Sequence, residues 1–456
     1  MRFLIIFVFL MAIINNKSLW ALEAGAARME ITPEVGLHMI GFGGRVARDV
    51  LDPLNVRTVV FRSSGGSVAL VVYDLLFPFE EQIGRKIAQR IQERTGVEQV
   101  IFSATHTHSG PEIHWDTPLA EGEDLSDLPE FEQKIIAKTV ETVAMACGRL
   151  QPVKLGAGWG KADVSYNRLE KLTDGGVSMK WANHEKIPMG PVDQTLGVIR
   201  IDDLNGQPLA ILVNYACHPV IHGKPDANLM YSADFPGVLC QKVNERLPGG
   251  PECIFFNGAC GNINPYYAHS VDNPKPRLEE VGGQLADEVE RVANGIVTGA
   301  YPEARVQSRI EHLATTGRWD AGKLVDVSED TVEAKTRAAR IEKRQRDLNL
   351  PLSIVLITPE IGFVGLPGEF FFEFQSQLRA QAPVDFLFVT GYTNESHGYF
   401  PTVQAAAAGG YGANDEAVYT AAGAGEHLVV EALVGLNEML GKLRDVPSSG
   451  DFDYMR

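Results

Sequence analysis

Two histidines directly after an apolar run are the residues of this chain with the clearest chemical potential. His106 and His108 lie in the segment ATHTHSGP (104–111), which follows the apolar run 100–103. Alternate side chains of an extended chain point to the same side, so both imidazoles can face one cavity. Two imidazoles at this spacing suit a borderline metal such as zinc. The alternative is a pair of structural histidines that bond nearby backbone groups.

Two further segments place polar residues after apolar runs. His218 lies in NYACHP (214–219), and Asp234 follows at a position where it either caps the next helix or takes part in catalysis. The glycine-rich segment FFNGACGNINP (255–265) permits close approach of backbone to a ligand. Its Cys260 is either a small buried residue or a nucleophile with His218 as its base.

An acidic turn and an aromatic loop complete the set. Glu369 ends the segment GLPGE (365–369) and begins a helix, where a negative side chain is favoured electrostatically. The polar and aromatic loop GYTNESHGYFPT (391–402) follows the apolar run 386–389, and GGYG (409–412) comes after it. Because open α/β sheets bind ligands at the ends of their strands, these segments lie where a site is expected.

The elements that must position these residues alternate between strand and helix. Strands are predicted over 56–61, 68–74, 100–103, 195–201, 209–215, 253–256, 353–357, 362–364 and 386–389. Helices are predicted over 79–94, 130–147, 277–293, 329–347 and 417–443, with one more after Pro236. The alternation predicts an α/β fold with one mixed, mostly parallel sheet covered by helices. The sequence shows no internal repeat.

The N-terminus predicts a signal peptide over residues 1–24. Arg2 precedes the apolar run 3–14, which is too short to span a bilayer comfortably. The expected mature protein is exported, to the periplasm, the cell surface or the medium, without a transmembrane segment. A single catalytic domain is expected over 25–445, followed by a flexible tail over 446–456.

Charge and cysteine content narrow the function classes. The chain of 456 residues carries 41 Lys and Arg against 58 Asp and Glu, a net charge of −17 that argues against nucleic acid or an anionic membrane as the main partner. The one basic stretch, 335–346, is predicted to be the solvated face of a helix. The five cysteines are odd in number and irregularly spaced, which favours buried free thiols over a disulfide framework, with one bridge among the last four as the alternative.

In chain order, these segments resemble the catalytic domain of the neutral/alkaline non-lysosomal ceramidase family. The resemblance begins at ARMEITP (27–33) and MIGF (39–42), runs to about Tyr411, and has THTHSGP as its most specific element. In that family one zinc ion is held by two histidines, a glutamate and a tyrosine, roles that fall here on His106, His218, Glu369 and Tyr399. The resemblance also implies that His108 contacts the reacting group and that Arg168 and Tyr411 belong to the active site.

One departure from the family pattern affects the chemistry. Ceramidases carry Gly-Asp-x-Ser-Pro after the buried strand, and their serine acts at the scissile amide. Here GNINP (261–265) places Asn262 and Asn264 at the aspartate and serine positions. Asn264 is not a nucleophile of the serine kind, but its amide can donate a hydrogen bond to an oxyanion.

The sequence therefore predicts a hydrolase that binds one Zn²⁺ per chain and cleaves an amide (N-acyl) bond of a lipid or another acylated small molecule. Metal-activated water is expected to attack, with His108, Arg168 or Asn264 stabilising the developing charge. An ester or carbohydrate-derived substrate on the same metal site is the first alternative, and catalysis by Cys260 is the second. A binding protein without activity is the third, and retention of four costly polar residues argues against it.

Overall fold

The computed structural model describes residues 22–173, 175–224, 227–270, 273–320, 323, 332–346 and 348–443. The predicted signal segment up to residue 21 and the predicted tail lie outside these described residues. The first strand begins at Glu23, so the expected boundary between residues 24 and 25 falls inside that strand.

The described chain contains three consecutive units, and the first ends at residue 148. Its elements, in order, are β1 (Glu23–Glu30), β2 (His38–Met39), β3 (Arg45–Val46), β4 (Asp49–Val50), β5 (Asn55–Ser63), β6 (Gly66–Tyr73), α1 (Glu81–Thr95), β7 (Gln99–Ala104) and α2 (Glu130–Gly148). Four of these strands form a sheet in the order β7-β6-β5-β1, which β8 (Gln151–Pro152) extends beyond β1.

The second unit runs to residue 295. Its elements are β9 (Lys154–Lys161), β10 (Ser165–Asn167), β11 (Leu169–Lys171), β12 (Val177–Met179), β13 (Thr195–Asp202), β14 (Pro208–Tyr215), β15 (Met230–Tyr231), α3 (Asp234–Arg246), β16 (Glu252–Asn257), β17 (Ile263–Pro265) and α4 (Lys275–Gly295). Its main sheet has the order β16-β14-β13-β9.

The third unit completes the described chain. Its elements are β18 (Gln307–Ala314), α5 (Val332–Arg344), β19 (Asn349–Thr358), β20 (Ile361–Gly365), β21 (Glu369–Phe370), α6 (Phe372–Gln381), β22 (Phe386–Thr390), β23 (Tyr399–Phe400), α7 (Val403–Ala408) and α8 (Ala424–Met439). Its main sheet has the order β18-β19-β20-β22.

The three main sheets share one topology. In each, the first strand pairs antiparallel with the second, the second pairs antiparallel with the third, and the third pairs parallel with the fourth. A helix connects the third strand to the fourth, as a parallel pair requires, and another helix follows the fourth. A long connection lies between the first and second strands of every unit.

The sheets pack around a common core. On β6, Val68, Leu70 and Val72 face an apolar cluster that also contains residues of the other two sheets, such as Leu212 and Phe363. The alternate side chains of each sheet face its own helices, in three separate outer clusters. The inner strands are therefore apolar on both faces, which is the pattern that made them visible in the sequence.

The expected α/β class with mixed sheets is confirmed, but the structure differs from the expected sheet in three details. The structure has three main sheets rather than one, and each sheet carries helices on one face only. Pairing is mostly antiparallel, because tight turns join the second and third strands of every unit: only residues 64–65, 203–207 and 359–360 separate them. Connections this short cannot make a parallel crossover.

Candidate metal centre

The candidate site lies where the three sheets bring the ends of their parallel strand pairs together. Buried asparagines join the units there. Asn257 donates from Nδ2 to the carbonyl of Thr105 at 2.9 Å, and Asn214 donates to the carbonyl of Val389 at 2.9 Å. The Oδ1 atom of Asn394 accepts from the backbone N–H of Phe102 at 2.9 Å. These bonds fix the loops that carry the site residues relative to one another.

Three buried side chains from the three units meet at the centre of the site. The Oε2 atom of Glu369 lies 3.4 Å from Nε2 of His106 and 3.2 Å from Nε2 of His218. Each imidazole donates from Nδ1 to backbone: His106 to the carbonyl of Leu76 at 2.9 Å, and His218 to that of Cys260 at 2.7 Å. Because these bonds take the Nδ1 proton, both Nε2 lone pairs point towards the carboxylate, as metal-binding imidazoles do.

The spacing of these atoms fits one metal ion. Nε2 of His108 lies 3.2 Å from Nε2 of His106, and ligand nitrogens of His106, His108 and His218 all lie within 4.8 Å of one another. Tetrahedral zinc with ligands at about 2.0–2.1 Å separates them by roughly 3.3–3.4 Å. Three separations, 3.2, 3.4 and 3.2 Å, are close to that value, while the three histidine nitrogens together spread over up to 4.8 Å.

Protonation states agree with a metal site. Burial lowers the pKa of His218 to about 4. Burial and the neighbouring His106 lower the pKa of His108 well below its ordinary value. Burial opposes ionisation of Glu369, but His106 and His218 outweigh it and hold the pKa of that carboxyl well below its usual range. Unprotonated His108 and His218 and an ionised Glu369 are the forms in which these groups bind metals.

Tyr399 reaches this cluster through strand pairing. It is the direct partner of Glu369 in the short parallel pair β21–β23, and its hydroxyl accepts a hydrogen bond from Nη2 of Arg168 at 2.9 Å. The guanidinium of Arg168 lies 5.4–5.7 Å from the ring centroids of Tyr399, Tyr411 and Trp181. The four residues predicted as zinc ligands are thus neighbours, together with His108, Arg168 and Tyr411. Their roles stay predictions.

The two asparagines at the departure from the family pattern hold other residues in place. Asn264 donates to the carbonyl of Trp181 at 2.9 Å and accepts from Arg168 at 3.3 Å. Asn262 accepts from the N–H of Phe372 at 3.0 Å, at the start of α6. The Nδ2 and Oδ1 atoms of Asn264 are both engaged in these bonds. A hydrogen bond from this amide to a substrate would therefore require loss of the bond to the Trp181 carbonyl.

A loop of the first unit encloses His108. Nη2 of Arg45 donates to the carbonyls of His108 and Ile40, and the ring of Phe42 lies 4.9 Å from that of His108. Gly41 has φ +106°, and a Cβ there would lie 2.6 Å from Nδ1 of His108. Only glycine fits at this position without moving the imidazole.

Cys260 and Asp234, two other candidates from the sequence, are held by contacts with neighbouring groups. Sγ of Cys260 lies 3.0 Å from the hydroxyl of Tyr392, and burial raises the pKa of that thiol to about 12. A thiolate nucleophile at neutral pH is therefore disfavoured. Asp234 is the first residue of α3, where its carboxylate accepts from the N–H groups of Phe235 and His222 at 2.7 Å. All five cysteines are free thiols, as favoured from the sequence.

A cavity of about 530 Å³ opens above the cluster. One part of its wall is apolar and another carries charged and hydroxyl groups. The apolar wall consists of Ile40, Leu76, Phe77, Trp115 and Ile341, and the polar wall includes Arg340, Arg344, Ser396, Asp415, Glu416 and Tyr419. No sequence pattern indicated the polar wall. Arg340 and Arg344 lie in the stretch 335–346, which was predicted to be the solvated face of a helix, and both line the cavity while staying partly exposed.

Comparisons with known proteins agree with this description. No family model matches the chain. Neutral ceramidase A of Dictyostelium discoideum is 24% identical over 205 residues, which span 43% of this chain and only 28% of that protein. The structure of neutral ceramidase from Pseudomonas aeruginosa has a TM-score of 0.72 at 18% identity, over 94% of this chain and 76% of that one. A ceramidase complexed with C2 has a TM-score of 0.70 at 18% identity, over 94% and 77%.

The chain therefore has the neutral ceramidase-like fold, and the resemblance stated from its motifs is confirmed. On this fold it carries a histidine cluster compatible with a metal ion. Within the part of the chain that the structure describes, no helix combines the length and the apolar character needed to cross a bilayer.

Proposed function

We propose that the chain is an exported zinc-dependent hydrolase that cleaves an N-acyl amide bond. The observation that carries the proposal is the set of ligand atoms from His106, His218 and Glu369, in which the carboxylate lies 3.4 and 3.2 Å from the two imidazoles at the base of an amphipathic cavity. Tyr399 stands beside Glu369 as the further ligand that the family resemblance implies. The apolar run at residues 3–14 supports export.

The metal, His108 and Arg168 have separate roles in the proposed reaction. When bound, a zinc ion supplies Lewis acidity, which polarises a carbonyl and lowers the pKa of water from about 15.7 towards about 7. His108 is half-buried and neutral, so it can take a proton from water and return it to the leaving amine. Arg168 orients the hydroxyl of Tyr399 at 2.9 Å and supplies positive charge near the developing oxyanion.

The cavity wall favours an acylated substrate. Ile40, Leu76 and Phe77 form an apolar surface beside the cluster, where an acyl chain is removed from water. An ester or a carbohydrate-derived compound would use the same metal site without needing this surface.

Zinc analysis combined with a substrate screen tests the proposal. We expect about one zinc per chain in the wild-type protein, and turnover of long-chain N-acyl amides above that of esters and glycosides of similar size. Glu369→Gln keeps the shape of the side chain but removes its charge, so zinc content and turnover should both fall. Glu311→Gln, on β18, should change neither. A wild-type protein that hydrolyses amides without zinc would contradict the metal mechanism, and turnover of esters or glycosides alone would replace the substrate.

A further inference from the structure

One face of α5 forms part of the cavity wall. It carries none of the motif residues on which the family resemblance rests. Arg340, Ile341 and Arg344 all line the cavity, because residues one turn apart lie on the same side of a helix. Ile341 is buried, whereas the side chains of Arg340 and Arg344 stay partly exposed.

Arg344 is held in position by aromatic neighbours. Its guanidinium lies 5.7 Å from the ring centroid of Trp115 and 5.1 Å from that of Tyr419, and it donates to the hydroxyl of Tyr419. Its acidic contact is Asp116 at 3.4 Å, longer than the roughly 2.7–2.9 Å of a strong charge-assisted bond. The side chain is thus oriented by neutral groups while its charge is only weakly compensated.

Arg340 has an exchangeable partner. It pairs with Glu416 at 3.0 Å, and the two side chains are 55% and 42% exposed. Pairs this exposed contribute little free energy and are readily replaced by another anion. The other carboxylate of the polar wall, Asp415, already accepts from the N–H groups of Gly412 and Ala417 at 3.0 Å.

We infer that this wall is a subsite for a carboxylate on the substrate, and that the preferred substrate is an N-acyl amino acid. The inference rests on the proposed function and names its substrate class. Arginine binds a carboxylate through its planar fork. Two such side chains on one wall stand out in a chain of net charge −17.

The size of the cavity limits the distance between the scissile amide of the substrate and its carboxylate. A volume of about 530 Å³ corresponds to a space roughly 10 Å across, which holds one compact head group. In an N-acyl amino acid a single carbon separates the amide nitrogen from the carboxylate. Hydrolysis adds water across the acyl C–N bond: a C–O bond forms, the C–N bond breaks, and the nitrogen takes the proton, giving a fatty acid and a free amino acid.

Two substrates that differ only in charge test the subsite, N-dodecanoylglycine and its neutral amide, N-dodecanoylglycinamide. The wild-type protein should have a kcat/KM at least about 10-fold higher for the carboxylate, and added salt should reduce that preference. Arg344→Met should lower kcat/KM for the carboxylate by about 10- to 100-fold, since hydrogen bonds to charged groups are the strong ones. For the neutral amide the change should stay below about threefold.

The control is Arg346→Met. Arg346 is an exposed residue just beyond α5 that pairs with Glu342 at 2.9 Å, and its loss should change neither rate. Arg340→Met replaces Arg344→Met if the latter fails to fold, and should also lower the rate for the carboxylate. Equal turnover of the two substrates by the wild-type protein, or an equal loss for both in the variants, overturns the subsite but leaves the hydrolase. No turnover of either by the zinc-loaded protein overturns the proposed function as well.

Discussion

Loss of His218 should remove most of the stabilisation of this protein by zinc. His218 contributes Nε2 to the cluster at 3.2 Å from Glu369. Zinc at about 1,000 times its Kd stabilises a folded protein by about 4 kcal/mol. Loss of an outer partner of a ligand already weakens binding by about 10- to 100-fold. His218→Ala removes a ligand and should weaken binding by at least the upper figure, which leaves no more than about 1.4 kcal/mol at the same zinc concentration.

These free energies translate into melting temperatures. At about 2.1 cal/mol/K per residue, the 456-residue chain has an unfolding entropy of roughly 1 kcal/mol/K. Zinc should therefore raise the Tm by about 4 °C in the wild-type protein and by no more than about 1.5 °C in His218→Ala. The quantity to compare is the zinc-induced shift, because the variant also loses its bonds to the carbonyls of Cys260 and Ile263 and starts from a lower Tm.

Differential scanning calorimetry of metal-free protein, with zinc added back in steps, measures this shift. His427→Ala is the matched control: the same substitution at a surface histidine of α8 that pairs with Glu431. It should keep the full zinc-induced shift. An undiminished shift in His218→Ala, with one zinc still bound, would refute the placement of His218 in the metal site.

Three further predictions concern neighbouring residues. Gly41→Ala should lower kcat about 100-fold with zinc retained, because its Cβ would displace His108 by most of an ångström. Gly43→Ala, at φ +50° with nothing within 4 Å, is the control in the same assay. Cys260→Ala should keep its hydrolytic rate within about threefold, since burial raises the pKa of the thiol to about 12; an inactive variant that still binds zinc would restore the thiol mechanism. Tyr411→Phe should lower kcat by about 10²-fold at unchanged zinc content, and an unchanged kcat would exclude its hydroxyl from charge stabilisation.

The inner strands and the residues at their ends were accessible from sequence. Strands such as β6 and β16 are buried on both faces and therefore read as continuous apolar runs. His106 and Glu369 follow such strands, and His218 does as well. The family resemblance assigned their roles, and the structure brings both histidines within 3.4 Å of the Glu369 carboxylate.

The first strand of each unit was missed, and β9 shows a physical reason for one of them. β9 reads KLGAGWGK and lies at a sheet edge, paired only with β13. Its glycines admit a helix at close range: a Cβ at Gly160 would lie 2.3 Å from Oε1 of Glu288 on α4. A strand whose glycines allow close contact with a helix lacks the β-branched residues by which strands are recognised in a sequence. The Asn205-Gly206 hairpin turn between β13 and β14 was a signal that went unused, and it would have corrected the expected parallel pairing.

The cavity wall could not be predicted from single residues. An arginine on an amphipathic helix, such as Arg344, looks like any solvated charge until its neighbours are known. Its partners Trp115 and Tyr419 come from the first and third units, so only the assembled fold shows that it faces the site.

The topology shared by the three units places the candidate metal ligands and the cavity walls on different parts of the chain. The candidate metal ligands all come from the ends of the third and fourth strands of the units, where a shift in one strand would disturb the others. The walls at Ile40 and Arg344 belong to the connections between first and second strands, which hold no candidate ligand. The connection of the third unit, which carries Arg344, can be changed without moving the metal centre, whereas those of the first and second units also hold His108 and Tyr399 in place. Proteins built on this plan can therefore acquire new substrates by changing a single connection, while the chemistry at the strand ends is inherited intact.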